Sequence, residues 1–480
     1  MSSSPIPPTV PDAAGPSEST AEAAALLGRV EQVPLNRFHF RVAGMLGVGT
    51  FFDSFDGLIL AVALTATLQA LGAPMSVAGV LIAAGYLGQI IGAIGFGFVS
   101  ERYGRKIAFV ISSGIFGLLS LVAVFAWNVE SLMIIRLLQG IGLGAEVPVA
   151  AAMFNEFVRA KARGRIVMIY ESLFGWGILA ASLVGGLLLA VFPPHNAWRY
   201  LFLIGGIPVL TSIWAYFRLP ESPRHLLHKG DLDGARAVVE AMEAQVRPRT
   251  PPEPAPRVTV SGASVTPVVE PRTRFGELFS VDYRGRTAML WCTWFTTYFA
   301  LWGLTTFLPT LLVRAGLSQS TAALLSAVIT VGDLIAIYLA AATLDRLGRR
   351  FWFITGFTLA ILGALVGVLV IGVLGISGWV VFFIAGATLL VGVNVNGPLI
   401  YMYNAELYPT RMRAFATMVG SSLRSLAAVI APVILGVLTT VPDGNVWMFA
   451  LFGAVLAVGL AVFAKFGIET KQRPLEELAR

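Results

Sequence analysis

The sequence predicts an all-α integral membrane protein with twelve transmembrane helices in two pseudo-symmetric six-helix bundles. Of its 480 residues, 56% are hydrophobic and 13% are charged, whereas a soluble globular protein has about 25% charged residues. Mean hydropathy is +0.78. Twelve apolar stretches are long enough to cross the ~30 Å hydrocarbon core of a bilayer. A short basic motif also occurs at the same place in each half of the chain.

The twelve stretches follow one another with mostly short connections. Each is expected to be a helix, because lipid provides no water for unpaired backbone groups. Their many glycines suit close packing of one helix on another. The approximate bounds of spans 1 to 12 are 42–68, 76–99, 107–127, 131–154, 165–192, 198–218, 286–312, 320–343, 351–374, 378–403, 413–440 and 445–467.

Lysine and arginine are concentrated at alternate ends of these spans. They occur before span 1 and after spans 2, 4, 8 and 10, at residues 29–41, 102–106, 159–165, 346–350 and 411–413. The opposite loops, such as "GAPMS" and "PPHNA", are almost free of them. By the positive-inside rule the basic side is cytoplasmic, together with both termini. The expected location is a plasma membrane or a bacterial inner membrane.

The repeated motif divides the chain. "GFVSERYGRK" (97–106) ends span 2 and "AATLDRLGRR" (341–350) ends span 8, and two similar six-helix halves around a central path are typical of transporters. The predicted organisation is a disordered N-terminus (1–33), a first bundle (34–218), a cytoplasmic loop with an amphipathic helix and a Pro-rich linker (219–283), a second bundle (284–468) and a C-terminal tail (469–480).

Composition also argues against several functions. The basic residues form no continuous stripe, so nucleic-acid binding is not expected. The single cysteine, Cys292, excludes an intramolecular disulfide and a cysteine-based metal cluster. The four histidines are scattered, no nucleophile and base have a catalytic spacing, and residues 1–33 have no apolar core of a secretory signal. We expect no enzyme activity, no cofactor, no metal site and no catalytic residue.

The chain from Arg29 onward resembles the major facilitator superfamily. The two repeated loops look like its signature between helices 2 and 3, with Glu101 where the family usually has Asp, and "RLLQGIGLGAE" (136–146) is similar to its helix-4 signature. "PESPR" (220–224) and "GPLIYMYNAELYPTRMR" (397–413) resemble the sugar-porter and organic-ion branch. These segments resemble those of bacterial niacin-type metabolite:proton symporters, and so do "RVEQVPLNRFHFR" (29–41), "GAEVPVAAAMFNEFVRAKARGR" (144–165) and "SLRSLAAVIAPVIL" (422–435). Synaptic-vesicle-2-like carriers are more distant relatives by the same resemblance.

Two aspartates interrupt the apolar stretch "GTFFDSFDGLIL" (49–60) of span 1. Asp53 follows Arg41 by twelve residues, which places it ~18 Å along a helix and near mid-membrane. Asp56 lies three residues further on, on the same helix face. An acid at this depth is a functional hypothesis by default. At least one of the two either couples transport to protons or binds substrate, and the alternative is a hydrogen-bonded structural acid.

Three further charged residues lie inside predicted spans. Glu146 and Arg136 belong to the helix-4 signature, which implies either proton handling or a structural tie between spans 4 and 1. Arg424 lies eleven residues beyond Arg413, ~16 Å deep, and its planar guanidinium suits a carboxylate. It faces either an anionic substrate or a protein acid. Asp333 is a secondary mid-span acid with no partner evident from sequence.

Aromatic and amide side chains complete the predicted site. Trp294, Tyr298 and Trp302 recur at helical spacing in span 7, where stacking on a flat ring is the functional hypothesis and packing the alternative. An amide is costly in lipid unless it is paired, so at least one of two asparagines in span 10 is expected to face the cavity. The further candidate substrate ligands are Trp176, Asn394, Asn396 and Tyr401.

A set of charged residues at the cytoplasmic edge is predicted to gate the path, by capping helix ends and linking the halves when that side is closed. Contact with anionic lipid is the alternative. The predicted gating residues are Glu101, Arg102, Arg105, Glu156, Arg163, Asp345, Arg346, Arg349, Glu406 and Arg411.

Together these features predict proton-coupled symport of a small organic acid, such as a nicotinate-like or short carboxylate, by alternating access. The expected partners are a small-molecule substrate, protons and the lipid bilayer, and we expect a monomer. A sugar or polyol carrier is the first alternative, although spans 5 and 7 lack the paired glutamines of sugar porters. An organic-cation carrier is disfavoured by Arg424. A membrane sensor is least favoured, because the 219–283 loop is too Pro-rich for an output domain.

Overall fold

The computed structural model describes residues 18–158, 160–246, 275–376, 378–408 and 410–471. Within these ranges the secondary structure is helical. The α-helices are Glu18–Gln32, Arg37–Val62, Leu64–Ala70, Ala78–Tyr103, Arg105–Ala123, Val129–Phe157, Ala160–Val191, Pro194–Gly205, Pro208–Arg218, Pro223–His228, Leu232–Glu243, Arg284–Arg314, Gln319–Leu347, Arg349–Val366, Trp379–Leu407, Thr410–Leu438 and Gly444–Phe466. Met75–Val77 and Phe275–Phe279 are 3-10 turns, and Gly367–Val373 is a π-helical segment.

The twelve predicted membrane spans are confirmed. In the described residues, twelve helices are long and apolar enough to cross a bilayer: Arg37–Val62, Met75–Ser100, Arg105–Ala123, Val129–Phe157, Ser172–Val191, Pro194–Arg218, Arg284–Arg314, Gln319–Leu344, Arg349–Val373, Trp379–Asn404, Val419–Leu438 and Gly444–Phe466. Span 6 is broken before Pro208, because proline cannot donate the backbone hydrogen bond that would continue the helix. These bounds define spans 1 to 12 below.

The repeated motif forms a sharp turn in each half. Gly104 separates spans 2 and 3 with a φ of +107°, and Gly348 separates spans 8 and 9 with a φ of +92°. Only glycine adopts such angles without strain. The same local geometry therefore recurs in both bundles.

Glycine also brings spans 2 and 4 into backbone contact. A β-carbon on Gly88 would lie 2.0 Å from the carbonyl oxygen of Leu137, and one on Gly144 would lie 2.0 Å from that of Gln89. Larger residues would force the helices apart. This close approach fixes the depth of the polar residues that span 4 carries.

The two bundles touch at the end opposite the arginine-rich loops. Gly79 of span 2 packs against the carbonyl of Pro432 in span 11. The hydroxyl of Ser320, at the start of span 8, donates to the carbonyl of Gly186 near the end of span 5 at 2.9 Å. The two bundles are therefore in direct contact at this end.

Residues 18–32 form a helix within the segment 1–33 that composition marked as disordered. This N-terminal helix packs on the loop helix Leu232–Glu243, which lies in the segment expected to be amphipathic. Buried apolar residues join the two, among them Val30 and Val239, and Arg29 donates to Glu243 at 2.6 Å. The segment folds because its apolar face has a partner that composition does not reveal. The Pro-rich linker, 247–273, lies outside the described residues.

Candidate substrate and proton site

Asp56 is held in a closed polar triad. Arg136 Nη1 donates to its Oδ2 at 2.6 Å, and the amide of Gln139 donates to its Oδ1 at 2.7 Å. Arg136 also donates to the Gln139 carbonyl oxygen at 2.9 Å. Asp56 and Gln139 are fully buried, and Arg136 is 5% exposed. The triad therefore ties span 1 to span 4, and it neutralises both charges inside the first bundle.

Glu146 also lies in the contact between spans 1 and 4, ten residues after Arg136 in span 4. It is fully buried, and its Oε1 would be 2.0 Å from a β-carbon on Gly49. The carboxyl group thus packs directly on the backbone of span 1. This placement accommodates both a structural and a proton-handling role.

Arg424 lies near the other aspartate and several aromatic side chains. Its guanidinium lies 6.0 Å from the ring centroid of Tyr298 and within electrostatic reach of Asp53, Tyr86 and Tyr401. Within the described chain no hydrogen bond or ion pair is formed by Arg424, and its Nε is buried. Its charge is therefore available to an anion that enters between the two bundles.

The Tyr298 ring beside Arg424 belongs to a cluster of aromatic side chains. Trp294 stacks on Tyr298 with ring centroids 5.5 Å apart and meets Tyr401 edge-on at 4.6 Å. Trp302 contacts Tyr86 of the first bundle at 5.5 Å. The predicted span 7 aromatics thus form one wall that includes both halves. Trp176 is 47% exposed and Tyr401 38% exposed.

The two asparagines of span 10 lie in different surroundings. Asn394 donates to Oδ2 of Asp333 in span 8 at 2.9 Å. Asn396 is fully buried, with its amide oxygen 2.4 Å from the position of a β-carbon on Gly356 in span 9. Asn396 thus packs within the second bundle, whereas Asn394 joins a buried acid.

A small cavity lies beside the Asp56 triad. It has a volume of about 10 Å³ and is lined by Tyr86, Gln89 and Arg136 from the first bundle and Thr306 from the second, among others. That is room for about one water molecule. The side chains around the triad therefore leave little free space.

Comparison with known proteins identifies the family of this chain. Residues 45–480 match the family model described as "Sugar (and other) transporter". The chain belongs to this family of the major facilitator superfamily. It is 29% identical to the niacin transporter NiaP of Acinetobacter baylyi, covering 94% of this chain and 99% of that protein. It is 30% identical to the 4-hydroxybenzoate transporter PcaK of the same organism, covering 93% and 94%.

Solved structures share the fold of this transporter. The xylose transporter XylE from E. coli, in a partially occluded inward-open conformation, superposes with a TM-score of 0.70. The two chains are 17% identical, and the match covers 91% of this chain and 99% of the other. The family match and the curated relatives confirm the prediction of a transporter and not an enzyme.

The predicted gating residues of this transporter pair within each half. Arg105 of span 3 lies 3.5 Å from Glu156 of span 4, and Arg349 of span 9 lies 2.8 Å from Glu406 after span 10. Arg102 and Arg346 are exposed. The side chains of four others lie outside the described part of the chain: Glu101, Arg163, Asp345 and Arg411.

Three contributing residues are absent from the sequence-based prediction: Gln139, Glu221 and Glu469. Glu221 accepts from the backbone N–H of Arg105 at 3.1 Å, and Glu469 accepts from that of Arg349 at 3.0 Å. Each acid thus caps the helix that follows the repeated motif, where a negative charge is favourable. Burial acts to raise the pKa of Glu469, but the backbone N–H groups outweigh it and hold that pKa below its usual value.

The sequence offered only a partial signal for these residues. Gln139 follows Arg136 by three residues and so shares its helix face. Glu221 lies in the quoted "PESPR", and Glu469 lies in "GIETK" at the end of span 12. Their partners are distant in sequence, so only the fold identifies them.

Proposed function

We propose that this transporter carries a small organic acid, of the nicotinate-like or aromatic carboxylate type, together with protons. The observation that carries the proposal is the position of Arg424. This partly buried cation lies beside an aromatic cluster and forms no ion pair within the described chain. The guanidinium binds the carboxylate, and Tyr298, Trp294 and Tyr401 stack on the ring. Relatives named for niacin and 4-hydroxybenzoate support this substrate class.

Asp53 is the proposed coupling acid. Asp56 is already committed to Arg136 and Gln139, whereas Asp53 lies within electrostatic reach of Arg424 and Tyr86. Protonated Asp53 together with a carboxylate on Arg424 leaves the site with little net charge. The two bundles then rock past it, because an uncompensated charge would oppose closure.

The proposed orientation puts both termini and the 219–283 loop in the cytoplasm of a bacterial inner membrane. It rests on the clustering of arginine at one end of the bundle. The bundles are in contact at the opposite end through Gly79 and Pro432 and through Gly186 and Ser320, and we propose that in this conformation the substrate exchanges with the cytoplasmic side.

Uptake into proteoliposomes tests the proposal. Labelled nicotinate and 4-hydroxybenzoate are compared with xylose and an organic cation, each with and without a proton uncoupler. We expect the carboxylates alone to accumulate, and the uncoupler to abolish that accumulation. Uptake of xylose or of the cation in place of the carboxylates would contradict the substrate class, and accumulation insensitive to the uncoupler would contradict proton coupling.

Single variants test the coupling acid. Asp53→Asn is nearly isosteric but cannot titrate, so it should lose accumulation driven by a pH gradient and retain exchange of substrate across the membrane. If both Asp53→Asn and Asp56→Asn accumulate substrate like the wild type, the acids are structural, and Glu146 becomes the next candidate.

A further inference from the structure

A buried acid also lies in the C-terminal bundle, apart from the acids of spans 1 and 4. Asp333, at the middle of span 8, is 7% exposed. Its Oδ2 accepts a hydrogen bond from Asn394 Nδ2 at 2.9 Å. Its Oδ1 is fully shielded from solvent and has no hydrogen-bond partner within the described chain. One oxygen of this carboxyl group is therefore satisfied and the other is not.

Among the residues that the structure describes, no positively charged side chain lies at this level of the helices packed against span 8. Spans 5, 7, 9 and 10 pack against span 8. Asp333 lies 14 residues after Gln319 and 11 before Leu344, about 16–21 Å along the helix from either end. The charged groups of the packed spans lie near their ends: Arg284, Arg286, Arg314, Arg349, Arg350 and, just beyond span 10, Glu406. The other titratable groups of span 8 and of the spans packed against it are Cys292, Tyr298, Tyr338, Tyr401 and Tyr403. The side chain of Glu171, just before span 5, lies outside the described part of the chain.

This environment favours a neutral acid. A buried carboxylate is stable when a cation or several donors compensate it. Asp333 has one neutral amide donor, Asn394, which donates to Oδ2. In a protonated carboxyl group, the oxygen that accepts such a hydrogen bond is the carbonyl oxygen. Oδ1 is then the hydroxyl of the acid.

We propose that Asp333 is a second proton-binding site, in the C-terminal bundle, and that its proton is coupled to transport. The proton leaves Oδ1 for water when the bundles separate and hydrate the site, leaving a carboxylate that Asn394 still contacts. Each half of the transporter then contains one acid that changes charge, Asp53 in span 1 and Asp333 in span 8. The inference rests on the proposed symport function and extends it to more than one proton per cycle.

Two measurements test this inference. The first is the infrared C=O band of protonated carboxylic acids in the purified protein near neutral pH. Asp333→Asn should remove one component of that band, whereas the control Asp443→Asn, which alters an exposed acid at the outer end of the second bundle, should not. If Asp333→Asn leaves the band unchanged, Asp333 is a carboxylate and the proposal is overturned.

The second measurement is accumulation of nicotinate in proteoliposomes under an imposed gradient of one pH unit with the membrane potential clamped at zero. Each coupled proton then contributes about a factor of ten to the limiting accumulation ratio. Asp333→Asn should lower that ratio by about tenfold and retain exchange, which shows that it is folded, and Asp333→Glu should restore part of it. A wild-type ratio in Asp333→Asn would mean that the proton is structural and would overturn the coupling role. Absence of accumulation in the wild type would instead overturn the proposed function and the coupling role with it, while the infrared band still reports the proton on Asp333.

Discussion

Replacing Arg424 tests directly whether substrate charge is recognised in this transporter. Arg424→Ala removes the cation, and Arg424→Lys keeps the charge but loses the planar fork. Because Arg424 has no ion pair within the described chain, no protein acid loses a salt-bridge partner when it is removed. The loss should therefore fall on the ligand.

The magnitude follows from the contacts available. A hydrogen bond to a charged group contributes about 1.5–3 kcal/mol, and about 1.4 kcal/mol is a factor of ten in affinity. Arg424→Ala should thus weaken binding of nicotinate at least ~10-fold, and Arg424→Lys should be intermediate. Nicotinamide, which lacks the carboxylate charge, should bind the wild type weakly and lose little further in the variant.

Thermal shift of the purified protein with each ligand measures both affinities without transport. Arg350→Ala, which removes an exposed cation from the same bundle, is the matched control and should bind both ligands like the wild type. Equal losses for nicotinate and nicotinamide in a well-folded Arg424→Ala would refute the reasoning. Arg424 would then serve the protein itself, and an uncharged or cationic substrate would replace the organic acid.

Three further predictions follow from the structure. Asp56→Asn leaves the charge of Arg136 buried and unpaired, so it should destabilise the protein by about 3–5 kcal/mol, whereas the double variant Asp56→Asn/Arg136→Gln should recover part of that loss in thermal unfolding. The pKa of Glu469 is lowered in the folded protein, so its contribution to stability is complete above the unfolded pKa of about 4.3 and is lost as the pH falls through the folded pKa. The unfolding temperature of the wild type should therefore approach that of Glu469→Gln as the solution is acidified from pH 7. A constant difference between the two unfolding temperatures would contradict this. In a chain whose native cysteine is replaced by serine, Ser76→Cys should react with an impermeant reagent applied outside intact cells and Gly276→Cys should not, and the reverse pattern would overturn the orientation.

The sequence by itself determined the membrane class and the division into two halves. Helical spans are read from composition and length because the bilayer imposes the same requirement on every residue of a span. The turn glycines Gly104 and Gly348 repeat for a local reason, since each must adopt a positive φ. Depth along a helix likewise follows from spacing alone, and this brought Asp53, Asp56 and Arg424 forward as candidates.

Partners were decided by the tertiary structure. Spacing gives Asp53 and Asp56 the same helix face, yet Asp56 binds Arg136 and Gln139 of span 4 while Asp53 lies toward Arg424 of span 11. These pairings join residues that are about 80 or several hundred positions apart, and no local pattern encodes them. They depend on how the helices pack, and glycines allow spans 1, 2 and 4 to approach closely. The roles of two acids three residues apart therefore diverge only once the helices are packed.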